Sequence, residues 1–255
     1  MKLLTEKYNI AEISVLEKRM QKYYEVASTY PAFVTPAYHT QQWKILLKYI
    51  KHYSNTNKIV EILEIGAGKS GLGEFLESEN VRSCVRVTSQ DVTPLNIAWL
   101  KRYSDQVFIG DVEKMDGKFH IVIHSYVLEH VSRPLSFLNH VYNKLTFDGG
   151  VNIIECPRYD FLFYLPNSMD HLSMIEKIKM KIRLIFFSKP FSIIDDPAIF
   201  YLPFRTDRDA IHLVRKKDFY NLFGKSNIRT WRAKSFGFRH WLLNTFLTCR
   251  MCIKK

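Results

Sequence analysis

The sequence predicts a doubly wound α/β fold with a mostly parallel sheet, on three observations. Short, largely apolar runs recur at 59–65, 84–89, 107–109, 121–123 and 151–155. Stretches with helical spacing separate most of them, and a glycine-rich turn at 66–71 follows the first. Uninterrupted apolar strands belong to a sheet covered on both faces, which crossover helices between parallel strands provide.

Taken in order, residues 1–30 carry helical spacing, with Ile13, Leu16, Met20 and the pair Tyr23 and Tyr24 on one face. "YPAFVTPAYHT" (30–40) holds two prolines and reads as a loop. Residues 41–53 form an amphipathic helix with Trp43, Ile45, Leu46, Tyr49 and Ile50 on its apolar side, and 54–57 is a linker. The first strand, 59–65, leads into a short helix at 72–78. A strand from 84 ends at Asp91, a helix spans 94–103, and a strand at 107–109 ends at Asp111. A strand at 121–123, a helix at 134–145, a turn at "DGG" (148–150) and a strand at 151–155 complete the alternation. Beyond Pro157 aromatic loops dominate. Residues 174–187 and 215–223 read as helices, and 227–236 and 240–255 as two closing strands. The expected organisation is a helical cap (1–57), a nucleotide-type core (58–157), an insert covering the cleft (158–225) and the closing strands (226–255).

The chain has 255 residues, 47% of them hydrophobic, which supports a sizeable core and argues against disorder. Four cysteines (Cys84, Cys156, Cys249, Cys252) are too few for a disulfide scaffold and fit a reducing compartment. The lone C-x-x-C of Cys249 and Cys252 cannot close a tetrahedral zinc site, so no metal is expected. The first 20 residues carry charges throughout and lack the apolar core of a signal peptide, and no apolar run reaches the ~18 residues that span a bilayer. A cytoplasmic location follows as the expectation. The net charge of +12 is lopsided: residues 158–255 hold 19 Lys and Arg against 8 Asp and Glu, whereas 1–157 nearly balance. A one-sided basic field favours phosphates, nucleic acid or an anionic membrane surface.

"ILEIGAGKSGLGEFL" (62–76) carries the chemistry. Gly66 and Gly68 allow backbone angles that side chains forbid and let a ligand touch the main chain. The following helix turns its free N–H groups toward the same spot. Two residues before Gly66 stands Glu64. A carboxylate there repels a pyrophosphate and welcomes a cation.

Here the chain resembles the class I, Rossmann-like methyltransferases that use S-adenosylmethionine (SAM), a cofactor with an ammonium, a sulfonium and no phosphate. The resemblance rests on five segments in order: "LEIGAG", "VTSQDVTP", "VFIGDVEKM", "FHIVIHSYVLEHV" and "LTFDGGVNIIECP". It implies a seven-stranded sheet with an insert after the fifth strand. It also implies a SAM site built from Glu64, Gly66, Ala67, Gly68, Asp91, Val92, Asp111, Val112 and Ser125. Asp91 would hold the ribose hydroxyls and Asp111, with the Val112 backbone, the adenine. Two positions depart from the family: Ser70 stands where glycine is usual, with Gly71 next to it, and His120 where aspartate is usual.

Methyl transfer to a hydroxyl needs alignment and a proton acceptor, which a neutral histidine supplies. His124, at the end of the fourth core strand, is the first candidate for the base, and His212, in "DRDAIHLVRKKDFYNLF", the second. His130 fits the family's structural histidine, His171 lies in the insert, and Tyr126 either lines the pocket or packs. The insert's aromatics (Phe161, Phe163, Tyr164, Phe200, Tyr201, Phe204) suit sugar stacking, a lipid-like acceptor or a second small core. The basic apolar segment 174–187 suits an anionic membrane surface or a solvated lid. The expected acceptor is a sugar hydroxyl of a cell-surface glycan or glycolipid precursor. A quinone-like or other small metabolite, RNA, and a degenerate SAM-binding scaffold are the alternatives. RNA is disfavoured because no RNA-binding module is visible, and "HSYVLEH" (124–130) stands where a base-amino methyltransferase carries its Asn/Asp-Pro-Pro motif.

Overall fold

The computed structural model describes residues 1–26, 35–56, 59–161, 164–203, 205–232, 237–238, 241 and 243–255. Phe163, Phe204 and parts of the predicted loop at 30–40 and closing segments lie outside the described residues.

The elements run β1 (Leu3–Leu4), α1 (Ile10–Val26), α2 (Thr40–Ser54), β2 (Val60–Ile65), α3 (Leu72–Ser78), β3 (Val85–Asp91), α4 (Ile97–Tyr103) and β4 (Gln106–Ile109). There follow β5 (Phe119–Ser125), α5 (Pro134–His140), β6 (Thr146–Pro157), α6 (Met174–Ile182), β7 (Ile193–Ile194), α7 (Lys216–Phe223), β8 (Ile228–Thr230) and β9 (Thr248–Lys254). The main sheet has seven strands in the order β4-β3-β2-β5-β6-β9-β8, and β1 pairs with β7 apart from it. β2 runs parallel to both β3 and β5, and β5 parallel to β6. β9 runs antiparallel to both its neighbours, wedged between β6 and β8. The chain moves outward from β2 to β3 and β4, then returns to lay β5 on the other side of β2. The carboxyl ends of β2 and β5 are therefore a topological switch point, where open α/β sheets bind ligands.

Strand alternation divides the core into two layers. Ile62, Ile121, Ile123, Val151 and Ile153 pack under Trp43, Leu46 and Ile50 of α2 and Leu72 and Leu76 of α3. Leu63, Val122 and Ile154 face the opposite way, toward Phe137, Leu138 and Val141 and the insert's Ile193, Leu213 and Phe219. Truncating a fully buried leucine such as Leu63 costs about 2–5 kcal/mol.

The insert is pinned by buried polar groups. Arg215 pairs with Asp218 through two contacts of 3.0 and 2.9 Å, and donates to the carbonyls of Leu184 (3.1 Å), Ser188 (3.3 Å) and Lys189 (2.7 Å). Lys181 donates to the Tyr164 carbonyl at 2.6 Å and to that of Tyr159, and burial lowers its pKa to about 8. α6 begins with a capping box between Ser173 and Glu176 and continues as a wider turn over Arg183–Phe187, so 174–187 is helical as its length predicted.

Some boundaries differ from the sequence reading. Residues 243–247 form a wide helical turn rather than strand, and β8 covers only three residues. The "DGG" segment lies inside β6, where pairing with β5 shifts register between Phe119 and Ile121 and Gly149 takes a φ of +81°. His120, the departure from aspartate, accepts the Glu61 N–H at Nδ1 (3.0 Å) and packs between Tyr53 and Phe147. It ties β5 to β2 at the end of the sheet opposite the switch point.

Candidate functional site

The glycine turn after β2 is shaped by β3. Gly66 and Gly68 both take left-handed angles, φ +63° and +55°. The Gly66 N–H donates to the Gln90 side chain (3.1 Å), the Ala67 N–H to the Gln90 carbonyl (2.9 Å) and the Gly68 N–H to Asp91 Oδ2 (2.7 Å). A Cβ on Gly66 would stand 2.4 Å from Val127 Cγ2, so this glycine is needed for both its angle and its closeness to the loop after β5. Asp91 takes the Thr93 N–H on its other oxygen (3.0 Å). An ionised carboxylate has about four acceptor positions. Asp91 thus builds the turn, with the Thr93 hydroxyl also 3.5 Å from Oδ1. Burial raises its pKa against these amide bonds.

Glu64, one residue before the end of β2, has its carboxyl buried in the turn. Burial raises its pKa to about 7, the neighbouring Asp91 adds to the rise, and the Ser70 hydroxyl, donating at 2.8 Å, opposes it. Ser70 also accepts the Leu72 N–H at 3.0 Å. The residue that departs from the family pattern thereby couples the acid to the first turn of α3. No left-handed residue is needed at 71: Gly71 has φ −97°, and its missing side chain makes room for the Tyr38 ring, 2.5 Å from where a Cβ would stand.

That ring arrives on a strap within the segment whose two prolines predict a loop. Ala37 donates to the Lys69 carbonyl (2.8 Å) and accepts from the Gly71 N–H (3.0 Å), laying residues 37–39 along the glycine turn. His39 stacks on Tyr126, ring centroids 5.9 Å apart, beside the carboxyl end of β5. Burial lowers the His39 pKa, which keeps the imidazole neutral at pH 7. Tyr126 holds φ +54°, unusual for an aromatic residue. Gln42 of α2 completes this edge, donating to the His124 carbonyl (3.1 Å) and accepting from the Ser125 hydroxyl. Nothing local marked His39 or Gln42; a histidine just ahead of an amphipathic helix was the one available signal.

The other expected residues are placed as follows. Asp111 is exposed after β4, and its side chain accepts the Glu113 N–H at 3.0 Å, capping the turn that contains the buried Val112. Val92 exposes its side chain directly after Asp91. Ser125 ends β5 next to Gln42. His124 and His212 are each 1% exposed. His124 lies edge-on to Phe137 with no hydrogen bond to either ring nitrogen among the described residues, and burial lowers its pKa to about 3. His212 faces the Leu128 carbonyl at 3.2 Å, and burial lowers it likewise to about 3. A general base must reach the acceptor's proton. Both rings are sealed in the interior, out of reach of an acceptor at the switch point.

No protein-family model matches the chain, and no curated protein matches it. Among solved structures, the plantazolicin methyltransferase BpumL with a pentazolic desmethylPZN analog and SAH is similar at 13% identity over 99% of both chains, with a TM-score of 0.53. The same enzyme with a triazolic analog gives 13% identity, 99% of both chains and a TM-score of 0.52. CurJ carbon methyltransferase aligns at 14% identity and a TM-score of 0.49 over 82% of this chain; the chain spans about half of that protein, 53%. The chain therefore has the Rossmann-like fold of class I SAM-dependent methyltransferases, with the strand order and switch point described above.

Proposed function

We propose that this protein is a SAM-dependent O-methyltransferase acting on a hydroxyl of a glycan or glycolipid precursor at an anionic membrane surface. The observation that carries the methyltransferase reading is the buried Glu64 carboxyl beside two left-handed glycines at the switch point. A buried carboxylate next to a ligand site disfavours a phosphate and is balanced by a cationic ligand. When bound, SAM supplies an electrophilic methyl group on a sulfonium. Glu64 and the turn 66–68 would hold its amino-acid end, Asp91 its ribose, and Asp111 and Val112 its adenine, with Ser125 and Gln42 fixing the edge of β5. His39, neutral and stacked on Tyr126, is the base this edge offers for an acceptor hydroxyl.

The acceptor class is supported by the outer face of α6. Met174, Ile175, Ile178 and Ile182 are exposed there, and Phe186 and Phe187 beyond them are 70% and 77% exposed. Lys179 and Arg183 are exposed along the same helix. A solvated lid has no use for six outward apolar side chains, whereas a basic apolar ridge suits the headgroup region of an anionic bilayer. Among the described residues no helix is long and apolar enough to cross a membrane.

The test is incubation with methyl-labelled SAM and fractionated lysate. Label entering polysaccharide or lipid is expected. Label confined to RNA or to small metabolites overturns the acceptor class, and no label together with no SAM binding leaves a degenerate scaffold. Separately, sedimentation with vesicles containing phosphatidylserine should pull down the wild type and not the Ile178→Asp/Phe186→Asp variant. Equal recovery of both, or none of either, removes the membrane argument.

A further inference from the structure

Behind the loop after β5 lies a cluster that the SAM site does not use. Glu129 and His130 come from the turn directly after β5, Asp207 and Asp209 from the insert, and Tyr24 from α1. One ligand atom each from Glu129, His130 and Asp207 lies within 4.8 Å of the others. Glu129 is 0% exposed, and among the described residues neither of its carboxyl oxygens has a hydrogen-bond partner. Among the described residues, no lysine or arginine pairs with any of the three carboxylates; their one cationic neighbour is His130.

We propose that Glu129, His130 and Asp207 bind one divalent cation of the first transition series. His130 shows how. Its Nδ1 faces Asp209 Oδ2 at 3.2 Å, and its Nε2 points to the Glu129 side, 3.9 Å from Oε1. Asp209 is itself held by the Tyr24 hydroxyl at 2.6 Å. The Asp209 carboxylate attends the Nδ1 edge of the ring by charge, outside hydrogen-bond geometry, and leaves Nε2 turned toward Glu129, an arrangement akin to the carboxylate support of a metal-bound histidine. The Glu129 main chain is fixed too: its carbonyl accepts from both Ile211 and His212, each at 2.8 Å. Two carboxylates and one imidazole form a mixed oxygen and nitrogen set that suits manganese, iron, cobalt or zinc better than magnesium or calcium. A cation here would answer the unpartnered Glu129 and clamp the β5–α5 loop, whose Val127 touches Gly66, to the insert. Glu129 and His130 are adjacent but Asp207 is far along the chain, so no ligand spacing appears in the sequence.

The competing arrangement is a metal-free network in which protonated His130 alone balances the acids. Manganese(II) decides between them, since it avoids the four cysteines that would draw zinc or cobalt. Titration of the full chain, with free manganese followed by electron paramagnetic resonance, should show one bound ion and a rise in Tm on saturation. Glu129→Gln and Asp207→Asn should each weaken binding at least tenfold, and the positioning variant Asp209→Asn about 10–100-fold. Asp207 stands at φ +64°, where asparagine is at home, so Asp207→Asn keeps the backbone and decides the matter even if Glu129→Gln folds poorly. No binding by the wild type, or equal binding by Asp207→Asn and folded Glu129→Gln, overturns the site.

Discussion

Replacing Glu64 by glutamine should move stability and cofactor affinity in opposite directions. The carboxyl is buried with its pKa raised from 4.5 to about 7, so between those values the folded chain holds a proton that the unfolded chain releases. Stability of the ligand-free protein therefore falls as pH rises from about 4.5 to 7 and stays lowered above it. A rise of this size corresponds to about 3 kcal/mol of penalty on the ionised form. Glutamine keeps an oxygen to accept from the Ser70 hydroxyl and carries no charge. At pH 8 Glu64→Gln should thus raise the Tm of the ligand-free protein, by roughly 6–12 °C for a chain of this length. If Glu64 holds the SAM ammonium as proposed, the same change removes a hydrogen bond to a charged group, worth about 1.5–3 kcal/mol, and should weaken SAM about 10–150-fold. Scanning fluorimetry between pH 5 and 9 and calorimetric SAM titration read the two effects. A variant that binds SAM as tightly as wild type would refute the electrostatic argument, whatever its stability; one that is less stable at pH 8 would show that the carboxylate is structurally required.

Three other outcomes follow from the geometry. Gly66→Ala places a side chain at φ +63° against Val127, which should destabilise by about 2–4 kcal/mol; Val127→Ala in the same chain should restore part of the loss in denaturant unfolding. His124 and His212 have folded pKa values lowered to about 3, so each contributes stability that is present above about pH 6.5 and lost as pH falls toward 3. At pH 5 each should cost about 2 kcal/mol, and His124→Leu should shift acid unfolding to lower pH while methyl transfer persists. Loss of transfer with the fold intact would return His124 to the reaction. Arg215→Ala leaves Asp218 buried without its partner and should cost about 3–5 kcal/mol in chemical denaturation; a loss below 1 kcal/mol would mean the insert does not depend on that pair.

The sequence was most legible where structure is local. The strand ending at Ile65, the two glycines and the helix Leu72–Ser78 stand where apolar run, turn residues and spacing place them. The acids at strand ends, Asp91 and Asp111, are likewise set by position in the alternation. What escaped was assembled over long chain separations. Ala37 and His39 meet the glycine turn because α2 covers one face of the sheet, and Asp209 reaches His130 because the insert folds back over β5. His124 stands out because a sequence shows that a strand ends, not which way its last side chains point, and His212 because its segment resembles one that faces the substrate in related enzymes. Residues 240–255 read as one closing strand, but the chain turns helically at 243–247 before joining β6, so the tertiary pairing of β9 decides where the strand begins.

The central claim is that the acid beside the bare-backbone turn selects a cationic, phosphate-free cofactor. Parallel calorimetric titrations of the wild-type chain with SAM, its demethylated product and NAD test it most directly. Saturable one-to-one binding of SAM and its product, with none of NAD, is the predicted result; binding of NAD, or of neither SAM nor its product by a folded chain, would contradict it.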